Sequence, residues 1–290
     1  MLAHILVYGA VSTSTILLIS LGFSLTFGLT GVANFAHAAF YLASGYVLWL
    51  LLNSVGLPYA VAVVVTIALL ALAGALLYRV VIAPVRGIVL SEVIATFALG
   101  IAILEFFRYL GFVTYEYRLP VFHRGQIAVL GRPIDYQRIS IVVVAVLVTV
   151  GLWWFTQRTN TGRALRAVSQ DEQTALTLGI RSEWAATVSV ALSGALAAVA
   201  AITILPLGVM SINTGYTAIL IALAATVLGG IESLWGLVAG SAILGFTQTT
   251  TGVYLGEEWA VMVYLVAIVF MLAWRPSGLF GRTHLLEERV

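Results

Sequence analysis

The sequence lacks lysine and cysteine, and both absences restrict its chemistry. All 14 basic residues are arginine. A Walker A phosphate loop needs a lysine and a Schiff-base enzyme needs an amine, so we do not expect this chain to hydrolyse ATP by itself in the usual way. Without cysteine, it has no disulfides, thiolate metal sites or thiol nucleophiles. We therefore predict no catalytic residue, no metal site and no cofactor.

Charge is also scarce. Charged residues make up 9% of the chain, the mean hydropathy is +1.07, and no Asp, Glu, Lys or Arg occurs from Met1 to Tyr78. A soluble globular domain carries roughly a quarter charged side chains. The composition indicates an integral membrane protein that is embedded in a lipid bilayer. We do not expect it to bind nucleic acid. Because no basic n-region precedes the first apolar run, we interpret that run as a transmembrane segment and not as a cleavable signal peptide.

The apolar residues form nine segments separated by charges and turn residues. A bilayer core accommodates about 20 apolar residues per helix. We predict an all-α polytopic protein, a single transmembrane domain over 1–290, with about eight complete spans and with broken or re-entrant segments. The segments lie at about 5–29, 34–52, 58–78, 89–111, 139–156, 184–205, 216–230, 233–251 and 258–274.

Arginines in the connections predict the orientation. Arg79 and Arg86 lie in one connection, four arginines lie between 157 and 183, and three lie in the tail after 274. Parity allows all three to share one face, which the positive-inside rule makes cytoplasmic. The 108–138 connection is then outside, despite its five arginines. The side of the N-terminus depends on whether every early segment spans.

An unusual polar cluster lies in the stretch "GVANFAHAAF", at 31–40. Asn34 and His37 are three residues apart and share a helix face, and Gly31 marks a place where a helix can break. One interpretation is a discontinuous helix that lines a substrate path. The other is that both side chains satisfy freed backbone groups or bond to a neighbouring helix. The similar unit "GGIESL" at 229–234 suggests an internal repeat, although so short a match is common by chance.

Three acidic residues, two within one apolar segment and one between two such segments, are candidates for a functional role. Glu92 and Glu105 fall near the two ends of one predicted span, and Arg108 is close enough to Glu105 for an ion pair. A buried glutamate could serve proton coupling, whereas a pair at the membrane boundary would be structural. Glu232 follows a Gly-Gly break and is either a solvated turn acid or a functional group.

The stretch from 157 to 183 carries the longest run of mixed charge on the predicted inner face. Ser169 and Glu172 have capping-box spacing and Gly179 suits a helix stop, so we predict a short cytosolic helix at about 170–178. This helix would expose Ala175, Leu176 and Leu178 as a small apolar face. The helix either docks into a groove on another protein or rests on lipid headgroups.

Five collinear blocks resemble the permease subunits of branched-chain or hydrophobic amino acid ABC importers, and together they cover most of the chain. The blocks are "GLTGVANFAHAAFYLASGYV" at 28–47, "TGRALRAVSQDEQTALTLGI" at 161–180, "ALSGALAAVAAITILPLGVMSINTGY" at 191–216, "LGGIESLWGLVAGSAILG" at 228–245 and "WRPSGLFG" at 274–281.

The resemblance implies a bacterial inner-membrane complex. Its members would be a second homologous permease, two cytosolic ATPases and a periplasmic substrate-binding protein. By resemblance, the 161–180 block contacts the ATPase through Arg163, Arg166, Asp171 and Gly179. The family usually has glycine after the histidine, whereas this chain has Ala38, which puts the usual shape of the helix break and the usual substrate in question.

Two alternatives remain from the sequence. The substrate of such a permease could be urea, an amide or an aromatic acid. The chain could also be an ion-coupled secondary transporter or a channel that acts alone, with Glu105 and His37 as the titrating groups.

Overall fold

The computed structural model describes residues 1–31, 33–110, 117–122, 125–208, 210–231 and 233–281. These residues form α-helices joined by short connections, together with one β-hairpin. The helices are α1 (Leu2–Thr30), α2 (His37–Asn53), α3 (Tyr59–Leu77), α4 (Val89–Tyr109), α5 (Tyr136–Arg158), α6 (Asn160–Gln170), α7 (Glu172–Thr177), α8 (Ser182–Ile204), α9 (Ile212–Gly229), α10 (Leu234–Tyr254) and α11 (Ala260–Trp274), and the strands are β1 (Gln126–Val129) and β2 (Arg132–Asp135).

Each of the nine predicted apolar segments is a helix, so the predicted all-α polytopic class is confirmed. Seven helices in the described part of the chain are long and apolar enough to cross a membrane: α1, α3, α4, α5, α8, α9 and α11. Helix α2 has 17 residues and begins at a break in the chain. Helix α10 has 21 residues, but its second half contains the polar run "TQTTTG".

The helices run between two opposite faces of the bundle, which we call the hairpin face and the loop face. The hairpin face carries the β-hairpin, and the Tyr8 hydroxyl near the N-terminus donates to Pro133 O there at 3.0 Å. The loop face carries α6 and α7, where the Arg86 guanidinium contacts the Glu172 carboxylate at 2.8 Å. The tail after α11 reaches the same face, since Phe280 and Arg166 line one cavity. The three arginine-bearing connections therefore share a face, as the sequence predicts.

Burial separates central helices from peripheral ones. More than half of the membrane-length part of α1, α8 and α9 is buried, whereas less than a third of α3, α4, α5 and α11 is. The peripheral helices expose aliphatic side chains such as Val64, Leu72 and Val269. Apolar surface of this kind is stable against lipid, so it needs no further protein cover.

Close backbone approach holds α3 against α8. Gly74 lies over Val190 O, and Gly194 lies over Leu70 O, so closely that a Cβ at either glycine would overlap the facing carbonyl. Helices associate in membranes through such small residues, because lipid provides no hydrophobic driving force between them. This packing fixes α8, which carries a contact of the candidate site.

Candidate functional site

The first candidate site is the break between α1 and α2. Helix α1 ends at Gly31, whose left-handed φ of 71° turns the chain. The chain then folds back, because His37, the first residue of α2, meets Ile19 O at 3.0 Å. Ile19 lies eleven residues before Thr30, about 16 Å back along the helix at 1.5 Å per residue. Helix α2 therefore begins inside the bundle, and the predicted broken helix is present.

Asn34 organises the turn within this break. Its Oδ1 accepts the Ala36 backbone N–H at 3.1 Å, and its backbone oxygen accepts the His37 N–H at 3.2 Å. Asparagine commonly stabilises a tight turn through a bond to the backbone two residues on. The side chain is 2% exposed, and its Nδ2 has no hydrogen-bond partner in the described part of the chain. Asn34 thus retains one buried, unused donor.

His37 links three helices. Its Nε2 is 3.0 Å from Ile19 O on α1, and its Nδ1 is 3.2 Å from Ser193 Oγ on α8. A carbonyl oxygen can only accept, so Nε2 carries a proton, and in the neutral ring Nδ1 then accepts from the Ser193 hydroxyl. The ring is 1% exposed. Both ring nitrogens are therefore occupied by the protein itself.

Neighbouring residues pack tightly around the His37 ring and the turn before it. A Cβ at Gly22 would lie 2.6 Å from His37 Cε1 and 2.8 Å from Ser193 O, so only glycine leaves room for the ring. On the other side, the Phe35 N–H donates to Thr96 Oγ1 at 3.4 Å. Ala38 is buried in the first turn of α2. The break thus forms with alanine where the family usually has glycine.

The structure brings two of the three predicted path residues together. Asn34 and His37 share the turn, while Gly31 is exposed at the end of α1. Whether these residues border a substrate path stays a prediction.

The second candidate site is the 157–183 loop, which forms two helices rather than one. The predicted helix at 170–178 corresponds to α7, and α6 precedes it. The predicted capping box is wrong: the Ser169 hydroxyl donates to Arg166 O within α6. Asp171 caps α7 instead, with Oδ1 accepting the Thr174 N–H at 3.0 Å. Hydrogen bonds from the Thr174 hydroxyl and backbone hold the Asp171 pKa below its usual value.

The other predicted loop residues take different positions. Arg163 is exposed and donates to Asn160 Oδ1. Arg166 lines a cavity beneath the loop. Gly179 has a left-handed φ of 80° and its N–H donates to Leu176 O at 3.0 Å, so the predicted helix stop is confirmed.

Helix α7 has an anchored side and a free side. Ala175, predicted to be exposed, is 1% exposed and packs with Leu165, so that prediction is wrong. Leu176 and Leu178 are 50% and 73% exposed, as predicted. The Arg86–Glu172 ion pair ties this helix to the turn between α3 and α4. The loop therefore presents two leucines from a helix that is tied to the α3–α4 turn.

The glutamates singled out in the sequence lie in different environments. Glu105 pairs with Arg108 at 3.3 Å near the end of α4, as predicted, and both side chains are about half exposed. Glu92 is buried in the first turn, where Oε1 accepts the Gly87 N–H at 2.7 Å. Glu232 lies outside the described residues.

Sequence reasoning missed three contacts. Ser193 as the partner of His37 lies 156 residues away, and Thr96 as the partner of the 33–35 segment lies about 60 residues away. Polarity within otherwise apolar segments was the only available signal for either residue. Arg86 was recognised only as a topology marker, although it holds Glu172.

A family model and individual known proteins are similar to this chain over most of its length. The family described as branched-chain amino acid transport system / permease component matches residues 5–272. The high-affinity branched-chain amino acid transport system permease protein BraD of Pseudomonas aeruginosa is 32% identical over 293 residues, which cover 96% of this chain and 95% of BraD. The LivH permease of Escherichia coli K12 is 29% identical, covering 94% of each chain.

A solved structure has a similar fold. One chain of PsaBC from Streptococcus pneumoniae, in complex with Fab, superposes with a TM-score of 0.51 at 15% identity. The match covers 96% of this chain and 94% of that chain. At this identity the likeness concerns the fold alone.

Proposed function

This chain belongs to the family of permease components of branched-chain amino acid transport systems, and from that premise we propose that it forms half of the membrane pathway of an ATP-driven importer. The cargo would be a branched-chain or other hydrophobic amino acid. The pathway would be completed by a second, homologous permease in a bacterial inner membrane. The match over residues 5–272 carries this proposal, together with the seven membrane-length helices found among the described residues.

ATP hydrolysis belongs to partner subunits in this proposal, and the chain itself is not an enzyme. Two cytosolic ATPases would dock on the loop face, and a periplasmic binding protein would deliver the ligand to the hairpin face. The absence of lysine supports this division, since the chain has no residue for the phosphate-binding position of a Walker A loop.

The 157–183 loop, which contains α6 and α7, is the element that would receive the ATPase. Leu176 and Leu178 offer apolar contacts, and Asp171 and Gly179 fix the two ends of their helix. Arg163 is exposed on the preceding helix α6 and offers a charge to the same partner. Arg166 would support the loop from below. Transmitted motion requires a rigid element. The Asp171 cap and the Arg86–Glu172 pair support that role, because both restrain α7.

The break at 31–37 is the element that would border the substrate path. The unused Asn34 Nδ2 and the N-terminus of α2 are donors suited to a substrate carboxylate. His37 would act as a positioning residue, since its ring joins α2 to α1 and α8. In this conformation the site is closed, and opening would require α2 to separate from those helices.

The ion-coupled alternative has less support. Glu105 is neutralised by Arg108 near a helix end, and both nitrogens of His37 are engaged. Neither group lies free in a cavity, as a proton-relay group would be expected to do.

Stimulated ATP hydrolysis tests the proposal. The chain is coexpressed with the ATPases and second permease of its own system and reconstituted in liposomes. The binding protein is then added empty or loaded with leucine, urea or phenylalanine. We expect leucine-loaded binding protein to stimulate hydrolysis severalfold. Failure to assemble with the ATPases would contradict the importer assignment, whereas stimulation by urea alone would contradict only the substrate.

A further inference from the structure

A cavity of about 440 Å³ opens at the loop face between α1, α5, α6 and α10. Its polar end contains Arg166, Ser169 and Gln157. Its apolar end contains leucines, namely Leu21, Leu25, Leu152 and Leu237. A charged end and an aliphatic end in one cavity match an amphipathic ligand with an anionic head.

Arg166 offers donors for an anion there. Its Nε is buried and has no hydrogen-bond partner within the described residues. None of the described residues that line the cavity is acidic. The Arg166 side chain is half-buried, and a phosphate accepts the parallel donors of a guanidinium in a matching geometry.

The surroundings point to the bilayer as the source of that anion. Trp153 and Trp235 both line the cavity and are 38% and 63% exposed. Exposed tryptophans are typical of the membrane interface, where headgroups lie. The cavity therefore opens at headgroup depth.

Exposed apolar tracks lead away from the cavity into the membrane. On α5, Val150 and Val146 are more than half exposed and continue the face of Trp153 at helical spacing. On α10, Ile243 is 48% exposed and follows Trp235 by two turns. The cavity has room for a headgroup and its glycerol, and these tracks provide a surface for the acyl chains.

We propose that this cavity binds one anionic phospholipid of the inner leaflet, with its phosphate on Arg166. Basic pockets between membrane helices on this side bind anionic headgroups in general. The lipid would join α6 to α1 and α10, so it would stabilise the base of the loop. The site is independent of the substrate and of the proposed importer function.

Native mass spectrometry of the full chain tests the proposal. The chain is purified in mild detergent and exchanged into mixed phosphatidylglycerol and phosphatidylcholine. We expect one tightly retained phosphatidylglycerol per chain in the wild type. Arg166→Gln should reduce the lipid-bound fraction at least tenfold. Arg163→Gln is the matched control, because it removes the same charge from the exposed side of the same helix, and it should retain the lipid.

Further variants and ligands separate the alternatives. Thr156→Trp fills the cavity while Arg166 stays in place, so this variant should also lose the lipid. It replaces Arg166→Gln as the test if that variant does not fold. Equal retention by Arg166→Gln and the wild type would overturn the proposal, as would equal loss in both arginine variants. If millimolar inorganic phosphate raises the melting temperature as much as phosphatidylglycerol does, the site binds free anions and the lipid assignment is wrong. If Arg166→Gln instead loses only the ATPase, the cavity is a protein-docking site.

Discussion

His37 offers the clearest test of how the helix break is held. His37→Ala removes the hydrogen bonds to Ile19 O and Ser193 Oγ, at 3.0 and 3.2 Å. Each such bond contributes about 1 kcal/mol in general, and somewhat less between membrane helices. Truncating a fully buried ring adds a cavity cost of about 2 kcal/mol or more. We therefore expect His37→Ala to destabilise the chain by about 3 kcal/mol.

The assay is unfolding in mixed micelles with increasing dodecyl sulfate, followed by circular dichroism. Ser193→Ala should cost about 1 kcal/mol, and the double variant should show coupling of about 1 kcal/mol. Ser20→Ala is the matched control, because the buried Ser20 hydroxyl donates only within its own helix, to Ile16 O. If His37→Ala unfolds like the wild type but abolishes transport, the ring acts on the substrate and the positioning role is refuted.

Four further variants test the two proposed sites. Asn34→Ser keeps an acceptor for the Ala36 N–H but removes the unused amide donor, so we expect uptake to fall about tenfold, as for one lost charge-assisted bond, at unchanged protein yield. Normal uptake would exclude Asn34 from the path. Leu176→Ser with Leu178→Ser should leave the thermal melt unchanged and abolish copurification of the ATPase, and wild-type copurification would exclude that surface. Asp171→Ala should uncouple hydrolysis from the binding protein while Asp171→Asn, which keeps the capping oxygen, should not, and equal behaviour of the two would refute the capping role.

Acidification provides a related test of the Asp171 cap. Because folding lowers the Asp171 pKa, this contribution to stability is complete above the unfolded-state pKa and is lost as the pH falls through the lower folded value. In Asp171→Asn that part of the pH dependence should vanish. Amide exchange of α7 measured across this range would reveal it, and an identical pH profile in the variant would contradict the assignment.

Hydropathy predicted the helices well because a bilayer requires long apolar runs, and each of the nine runs is a helix. Polar local structure was harder to predict. Helix α6 was not predicted, because its 11 residues are largely polar and buried residues such as Leu165 and Val168 are few. Two acceptors, Ser169 and Asp171, compete to cap α7, and the Ser169 hydroxyl bonds instead within α6. The partners of His37 come from distant helices, so no local pattern reveals them.

The central claim is that this chain moves its cargo only as part of an ATP-driven complex. Uptake of labelled leucine into liposomes tests it directly, comparing the full complex with the chain alone. The account predicts uptake by the complex that requires internal ATP and the leucine-loaded binding protein and that survives collapse of proton and sodium gradients. It also predicts no uptake by the chain alone. Uptake by the isolated chain driven by a proton or sodium gradient would contradict it.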